Sequence, residues 1–253
     1  MPRLVRPYKL LAEHYDELFG FTRSWGALAR ANLLADVFPR IDAACDLACG
    51  TGTAAVELAR RGLKVYAVDL SPAMCRLARR KIRASGLPAQ VIRADMRDFH
   101  LPRQVGLVTC EFDALNHVPQ RKDLGSVTRA VARALHPGGH FYFDVNTELA
   151  FERIWPVTWW LEKPGVVLVM RGEYDRSAGK AFADAEWFIR EGRLWRRRHE
   201  YIEQVCWTDQ EIRGALRDAG FCSIRKWDAA PFFKDDPFVR PGYRTFYLAR
   251  KQA

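Results

Sequence analysis

A short glycine-containing stretch carries the clearest chemical signal in the sequence. Residues 46–52 read Asp-Leu-Ala-Cys-Gly-Thr-Gly and lie between an apolar segment and a segment with helical spacing. Gly50 and Gly52 can adopt backbone angles that other residues resist, and they let a ligand approach the main chain. The helix that follows would offer free N–H groups and the positive end of its dipole. This strand, turn and helix therefore predict a ligand site.

An acid near the glycine turn narrows the class of ligand. Asp69 stands at the carboxyl end of the next predicted strand, which begins at Lys64. An acid about 20 residues past the glycines is where Rossmann-type folds hold a ribose by its hydroxyls. The third glycine of the dinucleotide motif is missing, because Val56 follows two alanines. The pattern favours an adenosine-bearing ligand other than a dinucleotide.

The elements that must position these residues alternate between strand and helix. Repeated β-α-β units require a parallel sheet with right-handed crossovers, and ligands bind beyond the carboxyl ends of its strands. The predicted strands are 43–48, 64–69, 89–94, 105–110 and 140–145, and the predicted helices are 53–61, 71–85 and 121–135. The glycine turn and Asp69 therefore fall at one edge of one sheet.

Two other parts of the chain have different patterns. Residues 4–38 show helical spacing, whereas residues 146–206 alternate and predict antiparallel strands at 166–170, 181–189 and 194–206. A helix from Thr208 to Gly220 and strands at 221–227 and 244–249 complete the chain. The predicted organisation is N-terminal helices that cover the ligand site (1–40), a ligand-binding domain (41–145 with 207–253) and an antiparallel insert (146–206).

Composition limits the possible partners only broadly. The chain has 253 residues and a formal net charge of +10, which is spread out apart from Arg196 to Arg198. No apolar run approaches the ~20 residues of a membrane span, and the first residues lack the apolar stretch of a signal peptide. The six cysteines form no Cys-x-x-Cys pair, and no histidine cluster has metal spacing. We therefore expect a cytoplasmic protein without a metal.

Several motifs in order give the chain a resemblance to the class I S-adenosylmethionine-dependent methyltransferases, over nearly its whole length. The resemblance implies an α/β fold, with a Rossmann-like seven-stranded sheet and an antiparallel insert after strand 5, which would form the acceptor side of the active site. Asp69 would hold the ribose hydroxyls, Leu70 would lie against adenine, and Glu111 would meet the methionine amino group. Trp25 or Arg23 could contact the methionine end. The full set that it places around S-adenosyl-L-methionine is Asp46, Ala48, Cys49, Gly50, Gly52, Asp69, Leu70, Met74, Asp95, Met96 and Glu111.

The segment 110–117 is similar to the small-molecule branch of these enzymes, which includes N-methyltransferases of nucleotide-linked amino sugars. In those enzymes a histidine at the place of His117 and a tyrosine at the place of Tyr15 face the acceptor amine. An imidazole is suited to act as a base near neutral pH, and Tyr15 would orient the acceptor or close over the methyl group. His199 and the tryptophans of residues 146–206 could line the acceptor pocket or form the core of the insert.

The leading prediction is a methyltransferase that acts on a small molecule, with nitrogen as the acceptor atom ahead of oxygen or carbon. A nucleic-acid (RNA) methyltransferase is an alternative that the basic charge supports. One form of this alternative, methylation of an adenine amino group, is disfavoured, because Asn116-His117 stands where such enzymes have a Pro-Pro-aromatic element that binds a flipped adenine. A non-catalytic module that binds S-adenosylmethionine is the third possibility. The expected partner is a small-molecule acceptor, without nucleic acid or membrane, and a homodimer is possible.

Overall fold

Two helices, five parallel strands joined by four crossover connections, and a long antiparallel segment follow one another along the chain. The structure is a computed structural model that describes residues 10–20, 23–233 and 239–253. Its first elements are α1 (Leu10–Leu18), α2 (Arg23–Leu33), β1 (Ala43–Leu47), α3 (Thr53–Arg60), β2 (Lys64–Asp69), α4 (Pro72–Ser85), β3 (Ala89–Arg93), β4 (Val105–Cys110) and α5 (Asp123–Ala134). Then come β5 (Leu135–Asn146), α6 (Glu148–Arg153), β6 (Trp159–Lys163), β7 (Val166–Asp175), β8 (Lys180–Glu191), β9 (Leu194–Val205), α7 (Asp209–Asp218), β10 (Phe221–Asp228) and β11 (Arg244–Lys251).

The central sheet has seven strands in the order β10-β11-β5-β4-β1-β2-β3. Strands β1 to β5 pair in parallel, whereas β11 is antiparallel to both β5 and β10. The chain runs outward from β1 to β3 and then returns to β4 on the other side of β1. This reversal opens a crevice at the carboxyl ends of β1 and β4. The predicted Rossmann-like, seven-stranded fold is confirmed.

Helices cover both faces of this sheet and account for its continuous apolar strands. Every residue of β1 and of β4 is buried, as expected for parallel strands covered on both faces. One core lies on the side of α5 and α7, and the other lies on the side of α2, α3 and α4. Within the described residues the six cysteines are free thiols, and all but Cys222 are buried. The burial holds β1 and β4 rigidly, so the residues at their ends have fixed positions.

The second sheet is antiparallel, in the order β6-β7-β8-β9, and follows β5 as predicted. Strand β6 and helix α6 were not predicted. Helix α6 has six residues, too few for a helical period to be recognised, and β6 is a five-residue edge strand that pairs only with β7. Among the described helices, none combines the length and apolar character needed to cross a membrane.

The boundary between α5 and β5 also differs from the prediction. We predicted a helix to residue 135, stopped by Pro137-Gly138-Gly139, and a strand from His140. Instead β5 begins at Leu135, which pairs with Val105 of β4. The pairing shifts register between Val105 and Leu107, so the Pro-Gly-Gly segment is an irregular start of the strand instead of a loop.

Helix α1 lies between the two sheets. It packs against α4 of the central sheet's layer and against β6 of the second sheet. Asp16 of α1 accepts hydrogen bonds from Thr51 Oγ1 (2.7 Å) and from Lys81 Nζ (2.7 Å). Lys81 also donates to Thr51 Oγ1 at 2.9 Å, so α1 is fastened to the glycine turn itself. Of the helical prediction for residues 4–38, residues 4–9 lie outside the described residues.

Candidate active site

A cavity of about 1080 Å³ lies at the carboxyl ends of the parallel strands, beneath α1 and the second sheet. Pockets for one small ligand usually measure ~300–1,000 Å³, so this cavity has room for a second small molecule. Of the residues predicted to bind the donor, all but Gly52 line it, and His117 and Tyr15 line it too. The fold therefore places the predicted donor-binding residues, His117 and Tyr15 around one cavity, with Gly52 as the exception.

The glycine turn adopts left-handed backbone angles at alternate residues. The φ angles are 56° at Ala48, 53° at Gly50 and 82° at Gly52. Gly50 borders the cavity, and a Cβ added there would meet nothing within 4 Å. At Gly52 a Cβ would lie 3.0 Å from the Cβ of Ala78 on α4. Gly52 therefore permits close packing of α3 on α4 and does not border the cavity.

The backbone holds the carboxylate of Asp69 in place. Its Oδ2 accepts the Gly50 N–H at 2.9 Å, and its Oδ1 accepts the Ser71 N–H at 2.8 Å. Burial raises the pKa of Asp69, and the two N–H groups oppose that rise. A carboxylate has about four acceptor positions, so each oxygen can accept one more hydrogen bond. This arrangement suits a ribose diol.

Asp95, Met96 and Leu70 form the next part of the wall. The Arg97 guanidinium donates to both oxygens of Asp95 at 2.7–3.2 Å and reaches Asp123 at 3.0 Å. The hydrogen bond from Arg97 lowers the pKa of Asp95, which stays ionised and able to accept from an amine. The Leu70 side chain is 60% exposed, which leaves an apolar surface for a flat ring.

Two buried carboxylates, Asp46 and Glu111, and one buried arginine, Arg30, form another part of the cavity wall. Arg30 of α2 is 4% exposed and donates to both Glu111 and Glu57. Asp46 Oδ1 accepts from Thr109 Oγ1 at 3.1 Å. The other oxygens, Asp46 Oδ2 and Glu111 Oε1, are buried with no hydrogen-bond partner in the described part of the chain. Buried acceptors of this kind suit the ammonium group of a methionine moiety.

Burial sets the protonation of these acids. It raises the pKa of Asp46 to about 6, although the nearby Arg30 charge lowers it. It also raises the pKa of Glu111, and Arg30 offsets part of that rise. A bound ammonium would favour the ionised form of both groups. The residues present therefore fit S-adenosylmethionine at its ribose, adenine and amino ends.

Arg30 was missed by the sequence analysis, which suggested Arg23 or Trp25 for the methionine end. The side chains of Arg23 and Trp25 lie outside the described residues. The available signal was an arginine beside the apolar residues Ala29 and Leu33 of an amphipathic helix. That signal is weak, because such an arginine is equally common on a solvated face.

Donor binding is expected to depend on pH through Asp46. Protonation of a group with a pKa of about 6 competes with an ammonium ligand, so affinity falls below that pH. For one such group, affinity for S-adenosylhomocysteine should rise by close to tenfold between about pH 5 and about pH 7.5. Calorimetric titrations across this range measure it. An Asp46→Asn variant should show a shallower profile, in which the remaining dependence comes from Glu111, and an affinity that falls with rising pH would contradict the assignment.

His117 lies where the cavity meets the second sheet. It ends the 3-10 helix Ala114–His117, which follows Phe112 and Asp113 with left-handed φ angles of 58° and 50°. The Gln204 amide nitrogen lies 2.8 Å from His117 Nε2, and Asp113 Oδ2 lies 3.7 Å from the same atom. An amide nitrogen only donates, so Nε2 accepts and the ring is neutral in this arrangement.

Asp113 is held ionised in a buried network. Burial opposes its charge, but the Arg244 guanidinium, 2.8 Å from Oδ1, and the neighbouring His117 ring together lower the pKa of Asp113 below its usual range. Arg244 also donates to Asp144, which accepts the backbone N–H groups of Phe112 (2.7 Å) and Asp113 (3.0 Å). The network fixes the strained turn that carries His117.

Asn116 connects the turn that carries His117 to two strands through hydrogen bonds. Its amide donates to the carbonyl oxygens of Val205 (2.9 Å) and Asn146 (3.3 Å), and its oxygen accepts the Asn146 N–H at 2.9 Å. These bonds join the His117 turn to β5 and β9. The turn therefore connects the central sheet with the second sheet at the cavity.

Tyr15 faces the cavity from α1. It packs against Phe19, with ring centroids 5.4 Å apart, and contacts the apolar clusters of both Met74 and Trp187. Burial raises the pKa of Tyr15, and the Asp113 charge adds to the rise. The hydroxyl therefore remains protonated and can donate a hydrogen bond to a ligand.

The tryptophans between residues 146 and 206 divide into three groups. Trp155 and Trp159 line the cavity, whereas Trp187 is buried in the core of the second sheet. Trp160 and Trp195 are exposed. His199 Nε2 lies 2.9 Å from Asp184 Oδ1 and does not line the cavity. Trp155 and Trp159 therefore lie on the cavity wall and Trp187 in the core, whereas Trp160, Trp195 and His199 lie in neither place.

Comparison with known proteins gives the same fold and chemistry. Residues 44–139 match a protein family described as "Methyltransferase domain". The chain is 27% identical to "Putative methyltransferase YqeM" of Bacillus subtilis (strain 168), over 96% of this chain and 97% of that one. It is also 27% identical to dTDP-3-amino-3,4,6-trideoxy-alpha-D-glucopyranose N,N-dimethyltransferase of Streptomyces venezuelae, over 73% of this chain and 72% of that one. A crystal structure of a S-adenosylmethionine-dependent methyltransferase from Clostridium acetobutylicum superposes with a TM-score of 0.79 at 23% identity, covering 97% and 99% of the two chains.

The fold, the cavity and the matched domain define a methyltransferase of class I. Residues 44–139 are a methyltransferase domain, the fold is that of S-adenosylmethionine-dependent methyltransferases, and the residues of the cavity fit S-adenosylmethionine as the methyl donor. The resemblance seen in the sequence is confirmed, including its small-molecule branch.

Proposed function

We propose that the protein methylates the nitrogen of a small-molecule amine. The observation that carries this proposal is a neutral imidazole, His117, facing the cavity that also holds the buried acids of the donor end. An amine must lose its proton before its lone pair can attack, and a neutral imidazole in the cavity can receive that proton. The relative from Streptomyces venezuelae, named as an N,N-dimethyltransferase, supports nitrogen as the acceptor atom.

The donor supplies an activated methyl group on a sulfonium, so the protein's main tasks are position and proton removal. Asp69, Asp95, Asp46 and Glu111 would hold the donor through its ribose, adenine and amino groups. Orientation of two reactants can lower a barrier by ~7–11 kcal/mol. Tyr15 would close the site from α1, since it lines the cavity and its hydroxyl stays protonated.

The proton path runs through His117 Nε2. The ammonium form of the acceptor displaces the Gln204 amide from His117 Nε2 and gives its proton to that atom, while the amide keeps its hydrogen bond to Asp113 Oδ2 (2.6 Å). The ionised Asp113, 3.7 Å away, stabilises the positive ring. The nitrogen–carbon bond then forms as the carbon–sulfur bond breaks, and that bond's electron pair goes to sulfur. The products are a methylated ammonium and a neutral thioether.

Two alternatives are tested alongside. Nucleic-acid methylation would show a steep salt dependence of binding to RNA or DNA, and we expect no specific binding over ~50–200 mM salt. A non-catalytic module would bind the donor without turnover. The proposed domain division, with the acceptor beneath residues 146–206, is in keeping with the residues of the second sheet that line the cavity, among them Met170, Ala183 and Ile202.

The direct test follows methyl transfer from isotope-labelled S-adenosylmethionine to a panel of primary and secondary amines and to the matching alcohols. We expect labelled product with amines only, and calorimetric binding of both S-adenosylmethionine and S-adenosylhomocysteine. Transfer to alcohols but not to amines would refute nitrogen as the acceptor atom. Donor binding with no transfer across the panel would favour the non-catalytic module.

A further inference from the structure

The acceptor end of the cavity has apolar walls. Away from the donor residues, the lining includes Phe19, Ile154, Trp155, Trp159, Met170 and Ile202. These side chains come from the residue that follows α1, from the α6 region and from three strands of the second sheet, so the apolar surface surrounds the space on several sides. Such walls favour a ligand with a hydrocarbon or aromatic body.

Positive charge along the cavity is already engaged by carboxylates. The arginines that line it within the described residues are Arg30, Arg76, Arg93, Arg97 and Arg244. Arg30, Arg97 and Arg244 are each held between two carboxylates: Glu111 and Glu57, Asp95 and Asp123, and Asp113 and Asp144, respectively.

The other two arginines belong to the adenosine end. Arg76 donates to the Pro72 carbonyl at 3.4 Å and Arg93 to the Leu70 carbonyl at 3.5 Å, beside Asp69. Phosphate groups are usually bound by arginine or lysine through charge-assisted hydrogen bonds. Arg244 is the only lysine or arginine of the described residues that lines the cavity beside the apolar walls, and it is already bound to Asp113 and Asp144.

The polar groups at the acceptor end carry a surplus of negative charge. Asp113 and Asp144 share one guanidinium, that of Arg244, and His117 is neutral as placed. Lys81 does not line the cavity, and its Nζ is paired with Asp16 of α1 at 2.7 Å. A cation that enters beside Asp113 and His117 is therefore attracted, whereas a phosphate is repelled.

From the apolar walls and the anionic polar corner, we propose that the acceptor is a cationic amine on an apolar body, with no phosphate. This inference rests on the proposed N-methylation and specifies its substrate class. It separates this chain from the relative named for a dTDP-linked amino sugar, whose substrate carries two phosphates. The ammonium group would dock beside Asp113 and give its proton to His117, while the body lies against Trp155 and Trp159.

The test is calorimetric binding to the full chain saturated with S-adenosylhomocysteine. The amine probes are 2-phenylethylamine, tryptamine and octylamine, and each is paired with its alcohol; uridine diphosphate glucosamine represents the nucleotide-linked amino sugars. We expect at least one amine to bind about tenfold tighter than its alcohol, as one charge-assisted hydrogen bond provides. Uridine diphosphate glucosamine should bind more weakly than that amine. Tighter binding of uridine diphosphate glucosamine, or no binding of any amine, overturns the proposal.

Two variant sets locate the effect. Asp113→Asn keeps a residue type that tolerates a left-handed backbone, and it should abolish the preference for amine over alcohol. Its affinity for S-adenosylhomocysteine should stay unchanged, which shows that the fold is intact. Trp159→Ala should weaken amine and alcohol alike by about tenfold. Trp160→Ala, on the exposed side of the same strand (63% exposed), should have no effect. If Asp113→Asn still prefers the amine over the alcohol, the placement of the ammonium group beside Asp113 is wrong.

Failure of this inference differs from failure of the proposed function. If uridine diphosphate glucosamine is both bound more tightly and methylated, N-methylation stands and the apolar substrate class falls. If an apolar amine binds with the expected preference but receives no labelled methyl group, the binding inference stands and the proposed activity falls.

Discussion

A His117→Asn variant is expected to lose about 100- to 10,000-fold in kcat for methyl transfer to an amine, the usual contribution of a general base. Asparagine keeps a polar side chain next to Gln204 but cannot accept a proton near neutral pH. Donor affinity should stay close to that of the unmodified protein, because His117 lies apart from Asp46, Asp69 and Asp95. Single-turnover kinetics with saturating donor, together with calorimetry, separate the two quantities.

The matched control is His199→Asn. His199 also belongs to the second sheet region and also has an acidic partner, Asp184 at 2.9 Å, but it does not line the cavity. We expect turnover of this variant within about twofold of the unmodified protein, as for a surface substitution. The pH profile gives a further readout. The rise of kcat/KM with pH that reports the base should be lost in His117→Asn and retained in His199→Asn. A His117→Asn variant with an unchanged rate and profile would remove His117 from the chemistry.

Much of the fold could be predicted because its signals are local. The glycine turn, Asp69 and the buried runs of β1 and β4 each lie within a few residues, and their order fixes a parallel sheet with its crevice between β1 and β4. The donor end of the site follows from the same logic, since residues at consecutive strand ends must lie together. Asp69 and Asp95 were therefore found without knowledge of tertiary structure.

The acceptor end could not be predicted in the same way. Arg244 reaches Asp113 from 131 positions further along the chain, and Gln204 reaches it from 91. Nothing in the local sequence of either residue shows this contact. The cavity walls likewise depend on which face of each second-sheet strand points inward; Trp159 lines the cavity, and the next residue, Trp160, faces solvent. The pairing register of β6 with β7 decides which of the two side chains points inward, and the sequence analysis did not predict strand β6 at all.

Arg30 is expected to contribute strongly to stability, because it is buried and paired with Glu111 and Glu57. An Arg30→Met variant is expected to lower the free energy of unfolding by about 3–5 kcal/mol, the cost of leaving buried carboxylates without their partner. The methionine fills similar space, so the effect reports the lost charge and not a cavity. Urea denaturation measures it. Arg133→Met is the matched control, because Arg133 forms an exposed ion pair with Asp98, and such pairs contribute only ~0–1 kcal/mol.

The loss in Arg30→Met should also depend on pH in a definite direction. Burial already raises the pKa of Glu111, and removal of the Arg30 charge that opposes this rise would move the pKa higher still. An acid whose folded-state pKa is raised destabilises the folded protein increasingly as the pH rises from its unfolded pKa to its folded one. The loss should therefore be larger at about pH 8.5 than at about pH 6, where Glu111 takes up a proton. Adding Glu111→Gln should restore part of the stability, since it removes the stranded charge. If the loss is equal at both pH values and the double variant is no more stable, Glu111 is not the group that Arg30 neutralises.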